Sequence, residues 1–261
     1  MVQPILAADR TDVYRYAIAM KSSFFISDVH LGLEDKSREK EKEKRLLAFL
    51  AHVETHGDQL FILGDLFDYW FEYKYVIPRG YHHTLSALGH LVEKGVEVHY
   101  LAGNHDFWLK DFFPNDLGIP VYKEPFDLVI GKKKFYLHHG DGLALRDAGY
   151  RILKKVLRNR FSIFIFSILH PGITAPIAKG SSRSSRQYTG NKDFGETDGM
   201  ILFATEKIRS GCDIVVMGHR HVPLYKTIDK GIYINLGDWI TYSSYAEFDG
   251  NTIELKTWKD R

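Results

Sequence analysis

The chain has 261 residues, Lys+Arg 35 against Asp+Glu 33, and a formal net charge of +2, a balance that speaks against nucleic acid as a partner. A single Cys excludes an internal disulfide and points to a reducing compartment. With 44% hydrophobic and 26% charged residues the chain is neither disordered nor low in complexity, and its length suits one large domain with a sizeable core.

Residues 1–20 carry Asp9, Arg10, Asp12 and Arg15 and lack the uninterrupted apolar core of a signal peptide. They read as a poorly ordered extension or as residues ahead of a true start at Met20; the main domain is then 21–261. Phe24–Ser27 reads as a buried strand ending at Asp28. From Ser37 to about Thr55, charges come first (SREKEKEKR) and then Leu46, Leu47, Phe49, Leu50 and Val53 at helical spacing. This predicts an amphipathic helix with a solvated first half.

Gln59–Leu63 is a second strand, ended by Gly64-Asp65. Residues 80–94 read as a helix, and Val96–Leu101 as a third strand ended by Gly103-Asn104. Strands near 121–129 and 134–138 lead to Gly140-Asp141-Gly142, and Ile214–Met217 leads to Gly218-His219. The tail 231–258 alternates and predicts antiparallel strands with a turn at Asp249-Gly250. Strands alternating with helices early and hairpins late predict a layered α/β sandwich.

Between 140 and 192 the chain changes character. Ten basic residues face two acidic ones, a local charge of +8 that leaves −6 for the remainder. The same stretch holds the longest apolar run, Phe161–Leu169, which is nine residues where a spanning helix needs about twenty. The chain therefore reads as soluble or peripheral. The stretch, over about 143–192, predicts an inserted helical cap. Its two readings are a solvated basic helix pair and a surface for an anionic, partly apolar ligand.

Five motifs share one placement, the end of an apolar strand: Asp28-Val29-His30, Gly64-Asp65-Leu66-Phe67-Asp68, Gly103-Asn104-His105-Asp106, His138-His139-Gly140-Asp141 and Gly218-His219-Arg220-His221. Ligands of open α/β sheets bind beyond the carboxyl ends of the strands, so residues spread over the chain can converge. Asp, His and Asn without Cys suit Mn, Fe or Zn rather than a thiolate site. Any one of these motifs alone is a common surface or core pattern; the ordered set is the signal.

The ordered set resembles the calcineurin-like metallophosphoesterase superfamily. The runs SDVHLG, LGDLFDYW, GNHDFWL and HHGDGLALRDAGYRILKKVLRN resemble one branch of it, the UDP-2,3-diacylglucosamine hydrolases of lipid A biosynthesis. The resemblance implies a four-layer α/β/β/α sandwich with an inserted cap and two divalent metal ions, Mn above Fe or Zn. One ion would be held by Asp28, His30, Asp65 and His221, the other by Asp65, Asn104, His139 and His219. Asp65 would bridge, and two cations about 3.5–4 Å apart need a shared anionic ligand to offset their repulsion.

The resemblance further implies that His105, with Asp65, is catalytic; many members of the branch carry Arg at the position of His105. Asp68 and Asp106 are expected to orient ligand His residues, and His138 to be core or supporting. The substrate would be an anionic lipid-linked nucleotide, met by Asn104, Asp147, Tyr150, Lys179, Arg183 and Arg186. The place of action would be the cytoplasm, peripheral on the inner membrane. Two alternatives stay open: a metallophosphoesterase for another nucleotide, sugar-nucleotide or lipid phosphate, and a non-catalytic binding module on the same fold.

Overall fold

The computed structural model describes residues 21–143, 148–170, 172–174 and 196–259, the side chains of 148, 150, 151, 153 and 196–198 excepted. The apolar runs become the central strands. Strands β1 (Ser22–Ile26), β2 (Gly57–Leu63), β3 (Glu97–Leu101) and β4 (Val121–Tyr122) form one sheet with β10 (Ser244–Phe248) and β11 (Ile253–Thr257), in the order β11-β10-β1-β2-β3-β4. The second sheet has the order β5-β6-β7-β9-β8, built from β5 (Phe126–Ile130), β6 (Lys133–His138), β7 (Ile214–Met217), β8 (Leu224–Ile228) and β9 (Gly231–Asn235).

Alternation along the strands sorts side chains into layers. Phe24, Ile26, Leu60, Ile62, Val98 and Tyr100 face helices α1 (Lys36–His56) and α2 (His82–Glu93). Their neighbours Phe25, Phe61, Leu63 and Leu101 meet Phe135, Leu137, Ile214, Val216 and Ile234 between the sheets. The outer face of the second sheet, with Tyr136, Val215, Met217 and Tyr233, is covered by Met200, Ala204 and Ile208 of helix α6 (Glu196–Arg209). The architecture is the expected α/β/β/α sandwich.

Helix α1 begins where Asp35 accepts from the amides of Ser37 (3.0 Å) and Arg38 (3.1 Å), which satisfies two of the donors a helix start leaves open. Its second half buries Leu46, Phe49, Leu50 and Val53, each contributing about 1.5–3 kcal/mol of apolar burial. Its first half departs from expectation. Lys42, read as part of a solvated run, is fully buried. Its ammonium donates to the His30 carbonyl at 2.7 Å and pairs with Glu39 at 3.3 Å and Glu34 at 3.7 Å. Lys42→Met should therefore lower the free energy of unfolding by about 1–3 kcal/mol in urea melts.

One other reading is corrected. The tail is not one antiparallel unit: β9 pairs in parallel with β7 in the second sheet, whereas β10 and β11 belong to the first. Strand β8 and helix α6 are additions that the sequence reading lacked. After a short helix α3 (Phe112–Asp116), the stretch read as a cap holds the helices α4 (Ala148–Leu157) and α5 (Arg160–Ile168). Asp147, Lys179, Arg183 and Arg186 lie outside the described residues, as do residues 1–20, and so does the side chain of Tyr150. Among the described residues no helix is long and apolar enough to cross a membrane.

What this fold positions is one edge. Strands β1, β2 and β3 run parallel, as do β6, β7 and β9. The carboxyl ends of β1, β2, β3, β6 and β7 carry the five motifs.

Candidate metal centre

The loops that leave these strands turn abruptly. Asp28 (φ 53°), His30 (φ 49°), Asp65 (φ 54°), His219 (φ 69°) and His221 (φ 62°) all occupy the left-handed region, which side chains other than Gly rarely adopt. The bends are fixed by backbone bonds between loops: Asp28 N–H donates to Gly64 O (3.1 Å) and His30 N–H to Asp65 O (2.9 Å). Gly64 and Gly103 let two loops touch. A Cβ on Gly64 would stand 2.6 Å from the Gly103 Cα, and one on Gly103 would overlap the Asp65 carboxylate.

Two groups of ligand atoms result. Asp28, His30 and His221 form one, and Asp65, His139 and His219 the other; within each, the potential ligand atoms lie within 4.8 Å of one another. Asp65 Oδ2 reaches both groups, at 3.6 Å from His30 Nε2 and 3.4 Å from His139 Nε2. Asn104 Oδ1 lies 3.0 Å from the same His139 nitrogen. All seven residues expected as ligands are thus brought together.

The donor set fits cations. Asp28 Oδ1 and His30 Nε2 are buried without a hydrogen-bond partner among the described residues, an arrangement that costs free energy unless something charged completes it. Supporting groups fix the rings. His139 Nδ1 sits 2.8 Å from Leu63 O; a carbonyl only accepts, so Nδ1 carries the hydrogen and Nε2 faces Asp65. Asp68 Oδ1 lies 3.5 Å from both His30 Nδ1 and His105 Nδ1. His105 Nδ1 donates to Asp68 O (3.0 Å), and the His105 amide donates to Asp65 Oδ1 (2.8 Å). His30, Asp68 and His105 form a third close group.

Three findings qualify or extend the sequence reading. Asp106 is no imidazole orienter: it accepts from the amides of Gly103 (2.7 Å) and Leu66 (2.9 Å) and from Tyr100 Oη (2.6 Å), and so fastens the β2 and β3 loops together. His138 is buried, its Nδ1 accepting from Gly140 N–H at 2.5 Å. Asp238 was missed; its Oδ2 lies 3.4 Å from His221 Nδ1, the supporting place that Asp68 takes for His30. Its signal was present, since Gly237-Asp238 closes an apolar strand just as Gly64-Asp65 does.

Charge coupling dominates the site. Burial opposes ionisation of Asp28, but the His221 and His30 imidazoles outweigh it and hold the carboxyl at about 2. Burial likewise disfavours charge on His30 and His139, yet Asp28, Asp68 and Asp65 raise them to about 9 and about 10. Burial lowers His105 from its ordinary value. The sign of the pH dependence follows. Below about pH 9 both His30 and His139 carry a proton in the metal-free protein, whereas ligation requires the neutral ring. Each group therefore releases one proton on loading. Mn²⁺ affinity measured by calorimetry should rise about tenfold per pH unit between pH 6 and 9, while the already ionised Asp28 contributes no slope there.

A family description of calcineurin-like phosphoesterases matches residues 23–223. The chain belongs to that family. A protein of Porphyromonas gingivalis named UDP-2,3-diacylglucosamine hydrolase is 33% identical over 255 residues, covering 91% of this chain and 97% of that one. One of the same name from Nitrosococcus oceani is 30% identical over 223 residues, covering 84% and 87%. Among solved structures, an archaeal phosphodiesterase is similar at a TM-score of 0.46 and 12% identity, covering 90% of this chain and 99% of that one.

Proposed function

We propose that this phosphoesterase is a two-metal hydrolase that splits the diphosphate of UDP-2,3-diacylglucosamine into UMP and 2,3-diacylglucosamine 1-phosphate. The observation that carries the reading is the pair of ligand groups joined through Asp65, with Asp28, His30 and His221 on one side and His139, His219 and Asn104 on the other. The names of the similar proteins support the choice of substrate.

When bound, a pair of divalent cations, Mn²⁺ in our reading, supplies an activated water and neutralises charge on the phosphoryl oxygens. The chain's own residues do the rest. Asp65 holds the two groups in register, and its other oxygen fixes the His105 backbone. One P–O bond to water forms and one P–O bond of the diphosphate bridge breaks. Burial lowers the basicity of His105, and an anionic diphosphate beside it would favour its protonated form. Its proton then becomes available to the bridging oxygen as that bond breaks. Asp147, Tyr150, Lys179, Arg183 and Arg186 are proposed to meet the substrate from the cap, and the enzyme to work in the cytoplasm, peripherally on the inner membrane.

The test is direct. Purified protein with Mn²⁺ should release UMP from UDP-2,3-diacylglucosamine, followed by ³¹P NMR or chromatography, at a kcat/KM at least a hundredfold above that for other sugar nucleotides. Equal turnover across the panel would select the alternative, a phosphoesterase with another phosphate substrate.

A further inference from the structure

Helix α4 is joined to the loops of the metal centre by charge. Among its described side chains Ile152, Val156 and Leu157 are 65%, 53% and 39% exposed, so these three supply little of the buried apolar stripe through which a helix normally docks. Asp141, two residues beyond His139, is buried, and its Oδ2 takes Lys154 Nζ of α4 at 2.7 Å and Nη2 of Arg158, the residue just past the end of α4, at 3.0 Å. Lys154 Nζ also donates to the Asp141 carbonyl at 3.2 Å.

Arg158 has a second contact. Its guanidinium lies 4.0 Å from the ring of Phe107, in the loop that carries Asn104 and His105. The next residue, Trp108, donates its indole N–H to the carbonyl of Leu157 at 3.2 Å. The end of α4 therefore touches the β6 loop through Asp141 and the β3 loop through Phe107 and Trp108. Both loops supply residues of the metal centre.

We infer that Asp141, Lys154 and Arg158 form a clamp that holds α4 over the metal centre, Asp141 being a positioning residue for the large substrate and the two cations being internal partners rather than phosphate ligands. The inference rests on the reading of the chain as a hydrolase of a lipid-linked nucleotide. A buried carboxylate with two cations on one oxygen leaves those cations committed, and removing any member strands a desolvated charge. Because the clamp sits at the base of α4 rather than at the reacting atoms, its loss should weaken binding of a substrate that reaches under α4. Attack on a small diester that needs only the metal centre should be spared.

The experiment compares Asp141→Asn, Arg158→Gln and the double variant in the Mn²⁺-loaded full chain. Two substrates are used: UDP-2,3-diacylglucosamine and bis(p-nitrophenyl) phosphate. Each single variant should raise KM for the lipid nucleotide by about tenfold with kcat within about twofold, and the double variant should be no worse than either single one, since residues of one network do not add. Turnover of the small diester should stay within about twofold throughout, which also reports that the variants fold. Additive losses, on the order of a hundredfold in the double variant, would make Arg158 a direct substrate ligand and overturn the clamp, as would an unchanged KM in Asp141→Asn. If Asp141→Asn fails to fold, the pair Arg158→Gln and Lys154→Gln carries the same comparison. Failure of the wild-type protein to cleave the lipid nucleotide at all would instead overturn the substrate reading, a result that the variants do not affect.

Discussion

Asp65→Asn should lower Mn²⁺-dependent phosphodiester hydrolysis by about a thousandfold or more. The size follows from its position. Its Oδ2 lies within 3.6 Å of ligand nitrogens in both groups, and its Oδ1 accepts the His105 amide at 2.8 Å. The substitution keeps the shape and removes the charge that two adjacent cations need between them; several kcal/mol of transition-state stabilisation convert to that factor. Elemental analysis should show metal content falling from two equivalents toward one or none. A metal-free Asp65→Asn protein that turned over at the wild-type rate would sink the two-metal mechanism.

Gly103→Ala should be nearly as damaging, although it removes no functional group. The new methyl would overlap Asp65 Oδ1 and stand 2.6 Å from the Asp65 amide nitrogen. The obstacles are a buried carboxylate held by the His105 amide and a backbone nitrogen, so the clash cannot be relieved by turning a flexible chain end. Either the β3 loop moves away, taking Asn104 and His105 with it, or Asp65 leaves its bridging place. We expect at least a hundredfold loss of activity, since misplacement by about 1 Å costs that much, together with about 1–3 kcal/mol of stability from overpacking. Gly89→Ala serves as the control, because a Cβ at this position in helix α2 would meet nothing nearer than Leu117 Cδ2 at 3.4 Å and the backbone is not left-handed. It should keep full activity.

The expected ligands were legible because each is announced locally. A strand that ends in Gly-Asp, Gly-Asn-His or Gly-His is visible in a few adjacent residues, and parallel strands bring such ends to one edge. What escaped depends on distant partners. Lys42 sits in a run of alternating charges, and nothing in SREKEKEKR separates the one lysine that turns inward to the His30 carbonyl from those that face water. Asp106 lies beside a ligand-like histidine, so sequence proximity suggested an imidazole partner; its acceptors are filled instead by Tyr100 and two loop amides. Helix α6 escaped because its apolar residues run together, Met200-Ile201-Leu202-Phe203-Ala204, with Ile201 and Phe203 packed beside Met200, Ala204 and Ile208, and a short continuous apolar run does not tell a helix from a strand. The tail was read as one unit because alternation reports which face of a strand is buried and says nothing of which sheet it joins.

The left-handed bends at Asp28, His30, Asp65, His219 and His221 have a consequence for the protein's tolerance of change. Each holds a side chain in a conformation that costs of order 1–3 kcal/mol, so selection for thermal robustness alone would drift these positions toward glycine. Such a drift would yield a hardier protein that had lost its chemistry. Conversely, β-branched residues are barred from the same positions by the crowding of their branched Cβ against the backbone. The loops thus carry a built-in opposition between endurance and activity. A library screened only for heat resistance should enrich inert sequences at these five positions before anywhere else in the fold.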